Sequence, residues 1–114
     1  MGTVVVVEDD ELLRFVIVET LREGELDVIE HCCADDALSY LQSQAEVAVV
    51  FTDINMPGAI DGLGLARAVK ASFPATKVIV TSGRPRSPEE LDGLQFVMKP
   101  YAADKVLETI RSII

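Results

Sequence analysis

Glu8, Asp9 and Asp10 follow directly on the apolar run Val4 to Val7, and a second apolar run, Val47 to Phe51, ends almost at once in Asp53. If these runs are neighbouring strands of a parallel sheet, their C-terminal ends share the edge at which open α/β folds place their ligands. The carboxylates then converge, and two unit charges about 4 Å apart repel by about 4 kcal/mol at an effective dielectric of about 20. Such a cluster persists only if a cation, a lysine or a shared proton offsets it. A hard divalent metal held by oxygen ligands, with chemistry at one acid, is the reading this spacing supports. Two further apolar runs end in useful groups: Val78 to Val80 leads to Thr81, Ser82 and Gly83, and Phe96 to Met98 leads to Lys99 and Pro100. A hydroxyl and an ammonium thus arrive where the acids sit.

The elements that must position these groups alternate along the chain. Strands are expected over Thr3 to Val7, Asp27 to Cys33, Val47 to Asp53, Lys77 to Ser82 and Gln95 to Met98. Between them, Glu11 to Glu23 carries Leu12, Phe15, Val16, Glu19 and Leu21 in helical rhythm before Gly24. Asp35 or Asp36 is placed to cap a short helix running to Gln44, and Gly62 to Phe73 forms a helix ended by Pro74. Ala102 to Ile114 forms the last helix, with Val106, Leu107, Ile110, Ile113 and Ile114 available for burial. Strands without apolar/polar alternation are those covered on both faces, so the class is α/β, a parallel sheet between two helical layers.

A chain of 114 residues corresponds to one domain spanning 1–114, able to bury roughly 65% of its unfolded surface. With 49% hydrophobic and 25% charged residues it is globular in composition. The formal charge of −9 and the lack of a basic face argue against direct nucleic-acid binding. No stretch reaches the ~20 apolar residues of a membrane span, and no basic segment precedes the N-terminal valines, so no membrane association and a cytoplasmic location are expected. Cys32 and Cys33, read as adjacent strand residues facing opposite ways, are unsuited to bond to each other. His31, the lone histidine, reads as structural.

Four segments in order, VVVVEDDELLR at Val4 to Arg14, TDINMPGAIDGLGLA at Thr52 to Ala66, VIVTSG at Val78 to Gly83 and FVMKPY at Phe96 to Tyr101, resemble the receiver domain of two-component response regulators. The resemblance spans nearly the whole chain and implies a flavodoxin-like, doubly wound five-stranded sheet of order 2-1-3-4-5. It implies a stand-alone receiver that takes a phosphoryl group from a sensor histidine kinase or phosphotransfer protein and passes its signal to a downstream protein or phosphorelay member. Such a domain is not an ordinary enzyme, although it catalyses its own aspartyl phosphorylation and dephosphorylation. By the same resemblance Asp53 is the phosphoacceptor, Asp9 and Asp53 are Mg²⁺ ligands with Mn²⁺ as a substitute, and Asn55 adds its backbone carbonyl. Glu8, where the family more often has Asp, acts through metal-bound water. Lys99 and Thr81 contact the phosphoryl group, and Phe96 occupies the aromatic switch position coupled to Thr81. The Lys99–Pro100 peptide matches a motif that in the family often holds a cis bond. Leu12, Leu13, Arg14 and Ile17 are candidates for kinase contact.

Two departures from the family pattern stand out. An extra residue in PGAIDG, Pro57 to Gly62, enlarges the loop above Asp53, with Gly58 as its permissive turn. Arg84 to Leu94 must contain the whole fourth helix and its loops, so a helix of one or two turns from Ser87 or Pro88 is expected, weakly held and ordered further on phosphorylation. Rival classes fit less well. A haloacid-dehalogenase phosphatase needs a second Asp where this chain has Asn55, and a flavodoxin needs a phosphate loop where it has three acids. The remaining alternative is a receiver-fold interaction module that signals without phosphorylation.

Overall fold

All five expected strands form, and the Val-rich and Ile-rich runs at 4–7, 47–51 and 78–80 do so because β-branched residues without polar alternation gain most when both faces of the sheet are covered. In the computed structural model, which describes residues 2–43 and 46–114, the elements are β1 (Thr3–Val7), α1 (Glu11–Glu23), β2 (Val28–His31), α2 (Ala34–Ser43) and β3 (Val47–Asp53). They continue as α3 (Gly62–Ser72), β4 (Lys77–Ser82), α4 (Pro88–Leu91), β5 (Gln95–Met98) and α5 (Ala103–Ile113). The strands are all parallel and ordered β2-β1-β3-β4-β5, with helices on both sides, the flavodoxin-like arrangement. The inner strand β1 pairs Val5 with Ile29 on one side and with Val50 on the other.

Alternation of side chains along β1 and β3 divides the core. Val4, Val6, Val49 and Phe51 pack with Ile17, Val18 and Leu21 of α1 and with Val106 and Ile110 of α5. Val5, Val7 and Val50 pack with Ala37 and Leu41 of α2 and with Leu65 and Val69 of α3. A smaller third cluster joins Ile54, Leu63, Ala66 and Val80 to the partly buried Leu91, Leu94 and Phe96. Within α5, Leu107 and Ile113 pack against the first cluster as expected, while Ile114 stays exposed.

Several expectations are corrected. The inner face of α1 is Ile17, Val18 and Leu21, whereas Leu12, Phe15 and Val16 are solvent-exposed. This helix is apolar on two faces, and contact with α5 and β1 decides which one turns inward. Ile17, fully buried, is thereby removed from the kinase-contact candidates. Arg14 is committed inward as well, since its Nε donates to Glu30 at 3.0 Å and its Nη1 to the Glu8 carbonyl at 2.8 Å. The second strand ends at His31, so Cys32 and Cys33 lie in the bend before α2 rather than on the strand, both as free thiols. That helix begins at Ala34, which puts Asp35 and Asp36 in its first turn rather than at its cap; its expected end at Gln44 lies outside the described residues.

Local chemistry explains the remaining boundaries. Asp10 caps α1 by accepting from the Leu13 N–H, and Asp61 caps α3 by accepting from the Gly64 N–H at 2.8 Å. The fourth helix is a single turn that buries no residue. It is held by a reciprocal capping box between Ser87 and Glu90, by Pro88 at its first position and by a left-handed Asp92 at its end. Arg67 donates to the Glu90 carbonyl at 3.4 Å and Lys70 to the Asp92 carbonyl at 2.6 Å, so polar ties supplement the packing of the partly buried Leu91. No helix among the described residues is long and apolar enough to cross a membrane.

Candidate functional site

The C-terminal ends of β1, β3, β4 and β5 deliver Glu8, Asp53, Thr81 and Lys99 to one edge of the sheet, and Asp9 follows Glu8. Glu8 and Asp53 are 3% and 6% exposed, whereas Asp9 is open to solvent. Carboxylate oxygens of these three acids lie within 4.8 Å of one another. Lys99 Nζ bridges two of them, donating to Glu8 Oε1 at 2.9 Å and to Asp53 Oδ2 at 3.0 Å. The Lys99–Pro100 peptide is cis. Glu8 is fixed further by the Asp10 N–H, which donates to its Oε2 at 3.1 Å.

Charge accounting follows from this geometry. Burial pushes the Glu8 carboxyl above its ordinary value, against the lowering effect of its Lys99 hydrogen bond. Burial pulls the Lys99 ammonium down, but hydrogen bonds to Glu8 and Asp53 outweigh it and the net shift is upward. Three carboxylates therefore face one ammonium, which leaves the edge negative. All donors are hard oxygens and Asp9 faces solvent, so the set fits a hard divalent cation that retains water.

Asn55 flanks the acids. Its backbone N–H donates to Asp53 Oδ1 at 3.3 Å, and its side chain donates to Ser82 Oγ at 3.4 Å. Thr81 is 1% exposed and its hydroxyl has no partner, which leaves a donor pre-placed beside the acids. Phe96 sits one layer away, packed in the third cluster near Leu91 of α4. The enlarged loop is held from α2: Asp35 accepts from the Ala59 and Ile60 N–H groups at 3.1 and 3.2 Å, and Gly58 turns the chain at φ 127°. Gly62 lies so close to the backbone of Asp53 that a Cβ there would overlap the Asp53 carbonyl oxygen.

Arg14, expected as a kinase contact, instead anchors the Glu8 backbone. Two neighbours of the site, Tyr101 and Arg86, are not singled out by sequence reasoning. Tyr101 has a buried, unpartnered hydroxyl whose pKa is raised by burial and by the charges of Glu8, Asp53 and Asp10. Arg86 reaches back from the loop before α4 to Asn55 Oδ1 at 2.8 Å. The signal for Arg86 is its place immediately before the Ser-Pro-Glu-Glu cap, four residues from Glu90.

A doubly wound sheet of this order with acids at the ends of its first and third strands defines a receiver-like α/β domain. Residues 4–111 match the model of the response regulator receiver domain, and the chain belongs to that family. It is 32% identical to the C4-dicarboxylate transport transcriptional regulatory protein DctD of Rhizobium meliloti over 96% of this chain, but it spans only 24% of that relative. It is 28% identical to the chemotaxis protein CheY of Listeria monocytogenes over 96% of both chains. Among solved structures it is similar to the response regulator TrrA of Thermotoga maritima in complex with Mg²⁺-BeF, with a TM-score of 0.89 and 25% identity over 100% of both chains. A response regulator receiver protein from Pseudomonas putida is 30% identical, with a TM-score of 0.84 over 97% of this chain and 96% of that one.

Proposed function

We propose that this domain, residues 1–114, is a phosphoacceptor receiver in which Asp53 takes a phosphoryl group from a phosphohistidine. The Asp53 carboxylate oxygen attacks phosphorus, the bond from phosphorus to the imidazole nitrogen breaks, and the histidine leaves with the electron pair. A carboxylate is a poor nucleophile toward an anion, so positioning and charge neutralisation carry the reaction. Asp9, Asp53 and the Asn55 backbone carbonyl are the groups that would hold Mg²⁺, with Glu8 acting through a metal-bound water. A cation held there would supply positive charge to the phosphoryl oxygens. Lys99 leaves its bridge between the acids to pair with the new anion, and the unpartnered Thr81 hydroxyl donates to it. Phe96 responds to Thr81 through the third cluster. The partners are a sensor histidine kinase or phosphotransfer protein and a downstream protein, in the cytoplasm.

The observation that carries this reading is the Lys99 ammonium held between two nearly buried carboxylates, one of them Asp53, with a third acid beside them and an unmet hydroxyl at Thr81. Incubation with acetyl phosphate and Mg²⁺ should add one phosphoryl mass to the intact chain. Asp53→Asn and chelation should each abolish it. Labelling that persists in Asp53→Asn would remove Asp53 as the acceptor.

A further inference from the structure

The guanidinium of Arg86 lies between the acid site and α4. Its side chain is only 14% exposed. Nη2 donates to Asn55 Oδ1 at 2.8 Å, Nη1 donates to Glu90 Oε2 at 3.1 Å, and Nε is buried without a partner. Both acceptors are already committed to structure. Asn55 donates its backbone N–H to Asp53 Oδ1 and its side chain to Ser82 Oγ, which also accepts from the Arg84 N–H at 3.1 Å. Glu90 uses its other oxygen, Oε1, to accept from the Ser87 N–H and hydroxyl in the box that starts α4. One residue, Asn55, therefore separates the guanidinium from the acceptor carboxylate, and the other end of the fork grips the first turn of α4.

We infer that Arg86 senses the phosphoryl group on Asp53 and carries the phosphorylation state to α4. This rests on the reading of Asp53 as phosphoacceptor. A buried N–H without a partner is costly, and the strong acceptor that phosphorylation brings to this side of the sheet is the phosphoryl group. Guanidinium presents five donors in a fixed fork, so Nε can be satisfied by that anion while Nη1 and Nη2 keep Glu90 and Asn55. The consequence is a firmer hold on Glu90 and its cap. Since α4 fully buries no residue and packs only through the partly buried Leu91, its order depends strongly on these polar ties. Lysine cannot substitute, because a point charge cannot span three acceptors at once.

The experiment is amide hydrogen exchange at Glu90, Leu91 and Asp92, whose N–H groups bond to Ser87 Oγ, the Ser87 carbonyl and the Pro88 carbonyl. Exchange is measured with and without Mg²⁺-beryllofluoride as the phosphoryl mimic, in wild type, Arg86→Ala and Arg86→Lys. In wild type the mimic should slow exchange by about tenfold, the size of one charge-assisted hydrogen bond. Both variants should add the phosphoryl mass from acetyl phosphate more slowly than wild type and, at mimic concentrations that saturate the Asp53 amide shift, show less than a twofold response at these three amides. A full response in Arg86→Ala, or none in wild type, overturns the role of Arg86. Loss of the phosphoryl mass in wild type overturns the phosphoacceptor reading itself, and the inference with it.

Discussion

Replacing Lys99 with methionine keeps most of the side-chain volume but removes the ammonium that bridges Glu8 and Asp53. Two carboxylates are then left with oxygens no more than 4.8 Å apart. At an effective dielectric of about 20 their repulsion is about 3.5 kcal/mol, and because one edge of the site is open to water the net loss of folding stability should be about 2 to 3 kcal/mol at neutral pH. For a chain of 114 residues this corresponds to a fall in Tm of about 10 °C. The pH dependence has a definite sign. In wild type the raised Lys99 contributes stability that is complete below its ordinary value of 10.5 and is lost as pH rises through the folded value above it. Glu8 is already raised above 4.5, and loss of the ammonium removes an effect that lowers it, so it rises further. A carboxyl raised in the folded state favours folding at low pH and loses that advantage as pH rises. Lys99→Met should therefore regain stability relative to wild type between pH 7.5 and pH 5.5. Millimolar Mg²⁺ should also restore part of the loss at pH 7.5 by replacing the missing positive charge. Urea titrations followed by far-ultraviolet circular dichroism give both quantities. A loss below about 0.5 kcal/mol, the scale of an ordinary surface substitution, or a larger deficit at pH 5.5 than at pH 7.5, would show that Lys99 does not neutralise this pair.

Two further outcomes are expected. Asp9→Ala should weaken Mg²⁺ binding more than Glu8→Gln does, because Asp9 is open to solvent whereas Glu8 is buried against Lys99; an NMR titration giving the reverse order would exchange their roles. Thr81→Val removes a buried hydroxyl that has no partner, so folding stability should rise by about 1 kcal/mol while the NMR shift changes induced by beryllofluoride shrink; a drop in stability with a full response would refute this.

The site was largely legible because its residues stand at the ends of short apolar runs, and a parallel α/β sheet sends those ends to one edge whatever the details of packing. The limits of β1, β3, β4 and β5 agree for the same reason: Val-rich and Ile-rich runs bounded by polar residues leave little choice. The inward face of α1 was not legible, since Leu12, Phe15 and Val16 compete with Ile17, Val18 and Leu21 and only the tertiary contact with α5 separates them. The end of β2 was misplaced because Cys32 and Cys33 suit a strand by composition, and the start of α2 because Asp35 has a use outside capping, in the loop above Asp53. Arg86 escaped notice because its contact with Asn55 joins residues 31 apart in sequence.

The four consecutive valines of β1 bear on how accurately the chain folds. A strand normally finds its alignment because sliding by one residue turns its apolar face to water. Val4 to Val7 offers the same side chain to both cores, so the interior alone cannot distinguish the native alignment from one displaced by a residue. Discrimination falls to what bounds the run, and at its C-terminal end that is Glu8, whose backbone N–H donates to the His31 carbonyl and whose carboxylate meets Lys99. A one-residue slip would carry that carboxylate away from its ammonium. The acid that helps assemble the site is thus also the mark by which β1 is aligned, and extending the valine run through position 8 would erase it.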